Sequence, residues 1–138
     1  MKKIVIIGAN DFQNQLILKA KEMGFETHVF AWQDGSIGER TADHFYPVSI
    51  VEIDEILEKC REIKPDAVAT IASDLANITV SKVAAGLGLP GNTPECIELS
   101  TNKYAMRSAF LKAGLPTPKF YKVDRVIPEL MEMELPVI

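Results

Sequence analysis

Lys103 and Arg107 stand four residues apart beside the start of a predicted helix, a spacing that lets both side chains face one side. Two cations at a helix N-terminus oppose the helix dipole unless an anion joins them, and that misfit points to a phosphate. Taken alone, the same pair also fits a solvated basic face. Two further groups could hold a polar small molecule. Gly8-Ala9-Asn10-Asp11-Phe12-Gln13 follows an apolar run, which puts Gly8, Asn10 and Gln13 in a β-α turn whose backbone N–H groups favour an anion. Ser73-Asp74 follows a second apolar run and opens another helix. If the two runs are neighbouring strands, both turns lie at the carboxyl edge of one sheet and converge on a pocket. Each residue also has a local use: Gly8 permits a tight turn, while Asn10 and Ser73 or Asp74 cap helices.

The elements needed to position these turns are legible as alternating buried runs and amphipathic segments. Lys3-Ile4-Val5-Ile6-Ile7 predicts a central parallel strand buried on both faces. Phe12, Leu16, Ile17, Ala20 and Met23 recur at helical spacing and Gly24 stops that helix. A strand over Thr27 to Ala31, a loop over Trp32 to Thr41 and a short edge strand over His44 to Val48 follow. Ser49 and Glu52 form a capping-box pair before a helix with Ile53, Ile56, Leu57, Cys60 and Ile63 inward, ended by Pro65. Ala67 to Ile71 predicts another buried strand, and Ile78, Val83, Ala84 and Leu87 the inner face of the next helix. After a short extended piece at Leu89-Pro90-Gly91, Thr93-Pro94 opens a helix through Leu99. This alternation predicts an α/β fold, a Rossmann-like open parallel sheet with helices on both faces. Beyond Thr101 the expectation is a helix with Met106, Ala109, Phe110 and Ala113 inward, a strand over Lys119 to Val123, and a short helix around Ile127 to Met133.

Composition removes several function classes. With 138 residues, one domain can bury roughly two-thirds of the surface that its unfolded chain exposes. A formal net charge of −4 offers no general attraction to nucleic acid or to an anionic membrane surface. No apolar run reaches membrane-spanning length and the first strand is too short for a signal-peptide core, so the expected location is cytoplasmic. A dinucleotide fingerprint would need glycines where Asn10 and Gln13 stand. Cys60 and Cys96 have neither disulfide-framework nor zinc spacing, and Cys60 falls on an apolar stripe. His28 and His44 have no revealing neighbours in sequence and read as packing or surface residues. No metal site is expected from these spacings.

Asn102-Lys103 opens a helix that stops at Gly114 and exits through Leu115-Pro116-Thr117-Pro118, preceded by Leu87-Gly88-Leu89-Pro90-Gly91 and followed later by Leu135-Pro136-Val137-Ile138. These strings resemble the N-terminal region of ATP-grasp carboxylate–amine ligases, particularly carbamoyl-phosphate-synthase-like members and relatives of biotin carboxylase and phosphoribosylaminoimidazole carboxylase. The resemblance implies a pre-ATP-grasp, Rossmann-like domain over residues 1–99 and the truncated start of an ATP-grasp domain over residues 100–138. Full enzymes of this class use ATP and magnesium to activate a carboxylate as an acyl phosphate, which then passes to an amine-type nucleophile. Lys103 takes the place of the first nucleotide-phosphate lysine, with Arg107 beside it. Gly8, Asn10 and Gln13 match one substrate loop, and Ser73 and Asp74 a second. The family's second phosphate lysine, nucleotide hinge and metal-binding Glu and Asn have no counterpart here, so the isolated chain is expected to be inactive, with no catalytic residue or metal ligand of its own. The gene is expected to continue past Ile138, with a lysine within a few residues and a glycine-rich loop soon after. The implied partners are a small-molecule substrate, the missing C-terminal ATP-grasp region and a second copy of the chain, since such domains often take part in dimer contacts. The other reading is a stand-alone Rossmann-like module for nucleotide or ligand binding or for dimerisation, which downstream coding sequence would separate from the first.

Overall fold

The computed structural model describes residues 1–125; the expected helix at Ile127 to Met133 and the final apolar strand at Leu135 to Ile138 lie outside the described residues. In chain order the elements are β1 (Lys3–Ile7), α1 (Asp11–Glu22), β2 (Glu26–Phe30), α2 (Gly38–Thr41), β3 (His44–Tyr46), α3 (Ile53–Ile63), β4 (Ala67–Ala69), α4 (Asp74–Leu87), α5 (Pro94–Thr101) and α6 (Lys103–Lys112). The sheet order is β3-β2-β1-β4, and every pairing is parallel. The α/β fold with a central β1 is therefore the one that the alternation of runs predicted.

Each face of β1 carries a separate core, because successive side chains of a strand point to opposite faces. Val5 and Ile7 pack with Phe30, with Ile56, Cys60 and Ile63 of α3, and with Ala76 and Val83 of α4. Ile6 packs on the other face with Val29, Ala31 and the α1 residues Ile17 and Ala20. Val5, Ile6 and Ile7 have no exposed surface, and burial on this scale stabilises by about 1.5–3 kcal/mol per large side chain. Burial also pushes the Cys60 thiol up to about 11, consistent with a packing role.

Several local expectations are corrected. β2 starts and ends one residue earlier than expected, and the 32–41 loop contains the single turn of α2. β4 is shorter than the expected strand and only half-buried, since among the described residues it is a sheet edge. The Ser49–Glu52 capping box does not form. Those residues make a turn in which Glu52 N–H donates to the Ser49 carbonyl, and α3 begins after Glu52 without a side-chain cap. On α1 the buried stripe is rotated: Phe12 and Met23 are exposed, while Gln13 and Asn14 join Ile17 and Ala20 inside. Both buried polar side chains have partners, Gln13 on the Ile71 carbonyl and Asn14 on the Thr41 hydroxyl. None of the α6 residues is buried, and Phe110 and Ala113 are exposed. No strand forms at 119–123, because that segment has no neighbouring strand to pair with among the described residues. No helix among the described residues is long and apolar enough to cross a membrane.

Asp43 ties the start of β2 to the start of β3. Its carboxylate accepts from Thr27 N–H at 2.9 Å, from the Thr27 hydroxyl at 2.8 Å and from Lys21 Nζ at 2.7 Å. The Lys21 hydrogen bond is the largest influence that holds its pKa down to about 2. A depressed carboxylate pKa contributes stability above the unfolded value and loses it as pH falls through the folded one, here between 3.8 and about 2. The Asp43 side chain is 35% exposed, so screening trims the charged contribution. Asp43→Asn is expected to destabilise the chain by roughly 1–2 kcal/mol at neutral pH in urea unfolding. That gap should shrink as the pH approaches 2; a gap independent of pH would show that the charge contributes nothing.

Candidate functional site

The carboxyl edge of the sheet is built from the exits of β1 and β4. β1 ends at Gly8, whose φ of +100° is a left-handed conformation that glycine adopts without strain. Its N–H donates to the Phe30 carbonyl at 2.8 Å, so the turn stays pinned to β2. A Cβ at Gly8 would stand 3.0 Å from Cγ and Cδ of Gln13. That close approach leaves Gln13, 2% exposed, free to cross beneath the turn and donate its amide to the Ile71 carbonyl. A second tie runs alongside: the Thr70 hydroxyl donates to the Ile7 carbonyl at 2.7 Å. The two loops singled out from sequence are thereby joined by two side chains.

After β4 the backbone turns through Ala72, at a φ of +56°, an uncommon conformation for a residue with a Cβ that costs about 1–3 kcal/mol. Ser73 then caps α4, its hydroxyl accepting from Ala76 N–H at 3.1 Å. Thr70, Ile71, Ala72, Ser73, Asp74 and Asn77 line an open depression of about 510 Å³. Strain at the rim of a concave site is typical of ligand-binding loops.

Lys103 reaches this depression from the first residue of α6. Asn102 caps that helix, accepting from Tyr104 N–H at 3.1 Å and Ala105 N–H at 3.2 Å. Lys103 Nζ donates to Asp74 Oδ2 at 3.1 Å, with side chains 66% and 67% exposed. The anion that the lysine requires is thus supplied by the protein's own carboxylate. A pair this exposed is worth about 0–1 kcal/mol, so a phosphate could displace it at little cost. Arg107 is half-buried one turn on and has no ion pair among the described residues.

The structure therefore brings Ser73, Asp74 and Lys103 together, and sets Gly8 and Gln13 behind them as the support of the loop. Asn10 does the local job: its side-chain oxygen accepts from Phe12 N–H at 2.9 Å and Gln13 N–H at 3.4 Å. Sequence reasoning missed Thr70, Ala72 and Asn77, whose types carry no positional signal, and Gly38, which it read as one more loop glycine. Gly38 N–H donates to the Ala9 carbonyl at 2.9 Å and braces the first turn from outside. Among the described residues, the cluster with metal-ligand geometry is Glu26, His28 and His44, away from this edge.

No family model matches this sequence, and no curated protein matches it. Solved structures do match. Phosphoribosylglycinamide synthetase from Anaerococcus prevotii is 27% identical with a TM-score of 0.75 over 98% of this chain and 35% of its own. An L-amino acid ligase from Bacillus licheniformis is 23% identical with a TM-score of 0.79 over 100% of this chain and 36% of its own. An ADP complex of N5-carboxyaminoimidazole ribonucleotide synthetase is 24% identical with a TM-score of 0.66 over 86% of this chain and 30% of its own. These are ATP-grasp ligases. The fold here is that of their amino-terminal region. The chain spans about a third of the length of these ligases, and the resemblance stated from Asn102-Lys103 through Pro118 agrees with that likeness.

Proposed function

We propose that this chain forms the front of an ATP-dependent ligase that activates a carboxylate as an acyl phosphate and passes it to an amine-type nucleophile. Residues 1–99 serve as the substrate-side domain and residues 100–138 as the start of the ATP-grasp domain, whose remainder supplies the catalytic half. The observation that carries this reading is the meeting of Lys103 with Asp74 at the rim of the depression, where the Gly8 and Ser73 loops are locked together by Gln13. The likeness to ATP-grasp ligases over nearly all of this chain supports it.

The residues present fit one part of the nucleotide. Lys103 at the start of α6, with Arg107 one turn later, suits a phosphate. ATP, when bound, supplies the phosphoryl group that activates the carboxylate. Lys103 would release Asp74 to hold a phosphate, while Ser73, Asp74 and Asn77 line the space for a polar acceptor. Phosphoryl transfer also needs positive charge on both sides of the transferring group and metal-held phosphates, which these residues do not provide.

An ADP-formation assay with magnesium and a panel of small carboxylates tests the proposal. Background turnover is expected from the 138-residue chain, and carboxylate-dependent turnover from the complete polypeptide of its gene. Turnover by the isolated chain, or none by the complete polypeptide with any carboxylate, would overturn the reading.

A further inference from the structure

Glu26, His28 and His44 gather near the amino-terminal ends of β2 and β3, remote from the Ser73–Asp74 depression. Parallel pairing sets His28 directly beside His44, and the rings stack with centroids 4.5 Å apart. Glu26 precedes His28 by two residues and so shares its face of the strand. Both imidazoles turn the same nitrogen toward a single carboxylate oxygen: Glu26 Oε1 is 3.1 Å from His28 Nε2 and 3.0 Å from His44 Nε2. One ligand atom from each of the three residues lies within 4.8 Å of the others.

We propose that Glu26, His28 and His44 form a binding site for a divalent transition metal of the zinc class, clipping the three-residue edge strand β3 to β2. Zinc bonds to imidazole nitrogen and carboxylate oxygen of about 2.0–2.2 Å set neighbouring ligands about 3.3 Å apart in a tetrahedron. The two Glu26–histidine separations already match that spacing to within a few tenths of an ångström, while the histidine nitrogens, within 4.8 Å, close on the ion by rotation of the exposed His44 ring. Two nitrogens and one oxygen are borderline ligands, suited to Zn2+ and Co2+ rather than to the all-oxygen shells of Ca2+ or Mg2+. His28 is prepared for the role. Its side chain is 5% exposed, and its other ring nitrogen, Nδ1, lies 3.0 Å from the Tyr46 hydroxyl, the outer hydrogen bond that orients a ligating histidine. Burial, the largest influence on His28, lowers its pKa and favours the neutral imidazole that a metal requires. Glu26 and His44 are 23% and 49% exposed, which leaves an approach for the ion and a fourth position for water. Lys3 pairs with Glu26 in the β1–β2 register and adds a like charge nearby, but its ammonium is held by the Ile63 carbonyl at 3.1 Å.

Without metal the same atoms form a satisfied hydrogen-bonded network, so the test must separate the two states. Calorimetric titration of the untagged chain with Zn2+ is run on a C96S background, since Cys96 is an exposed thiol that could bind zinc on its own. The expected result is one Zn2+ per chain, tetrahedral Co2+ absorption bands on cobalt substitution and a higher Tm with metal. H44A removes an exposed ligand and is expected to weaken Zn2+ binding by much more than ten-fold, with an unchanged far-ultraviolet circular dichroism spectrum. E26Q keeps a hydrogen-bond acceptor and removes the anionic ligand, and it should weaken binding likewise. Tyr46→Phe should cost about ten-fold through the orientation of His28. Absence of stoichiometric binding in the parent, binding lost in C96S, or binding equally tight in H44A and E26Q would each overturn the site.

Discussion

Lys103→Ala in the complete ligase is expected to lower kcat/KM for ATP by roughly ten-fold or more. A charge-assisted hydrogen bond to a phosphate is worth about 1.5–3 kcal/mol, and each 1.4 kcal/mol is a factor of ten. The loss should appear in catalysis and not in folding, because the ion pair that Lys103 makes with Asp74 is two-thirds exposed on both sides. Steady-state kinetics with ATP varied, beside urea unfolding of the same variant, separate the two. Lys103→Arg keeps the charge and should restore part of the activity. Unchanged kinetics in a well-folded alanine variant would assign Lys103 to a solvated basic face, paired with Asp74.

Gly38→Ala is expected to destabilise the chain by roughly 2–4 kcal/mol. A Cβ at Gly38 would lie 2.6 Å from the Ala9 carbonyl oxygen, 2.9 Å from Ala9 Cα and 3.0 Å from Ala9 Cβ. Two of those are backbone atoms of the first β-α turn, which cannot rotate aside. Relief requires α2 to move off the turn, with loss of the hydrogen bond from Gly38 N–H to the Ala9 carbonyl. Gly86→Ala is the control: its Cβ would meet Leu57 methyl carbons at 2.8 and 2.9 Å, the mobile end of a side chain that can change rotamer. Equilibrium unfolding of both variants should rank Gly38→Ala clearly below Gly86→Ala. A cost under about 1 kcal/mol at Gly38 would mean that α2 does not brace the Gly8 turn.

The continuous β-branched run Lys3–Ile7 and the apolar stripe of α3 sufficed to specify a parallel sheet with helices on both faces, because a residue run buried on two sides leaves few other folds. The caps at Asn10, Ser73, Thr93 and Asn102 were equally legible, since each rests on a side-chain oxygen and N–H groups two or three residues along the chain. Local sequence failed where partners are distant. By sequence Gln13 belongs with the first β-α turn as a substrate-loop residue, yet it and Asn14 are buried on α1, because Ile71 and Thr41 arrive from elsewhere to satisfy their amides. The edge-strand character of β4, the positive φ of Ala72 and the meeting of Lys103 with Asp74 likewise depend on which segments the sheet places side by side. His28 and His44 show the same division. Sixteen positions apart and featureless in sequence, they stack only because β2 and β3 pair in one particular register, and register is a property of the assembled sheet.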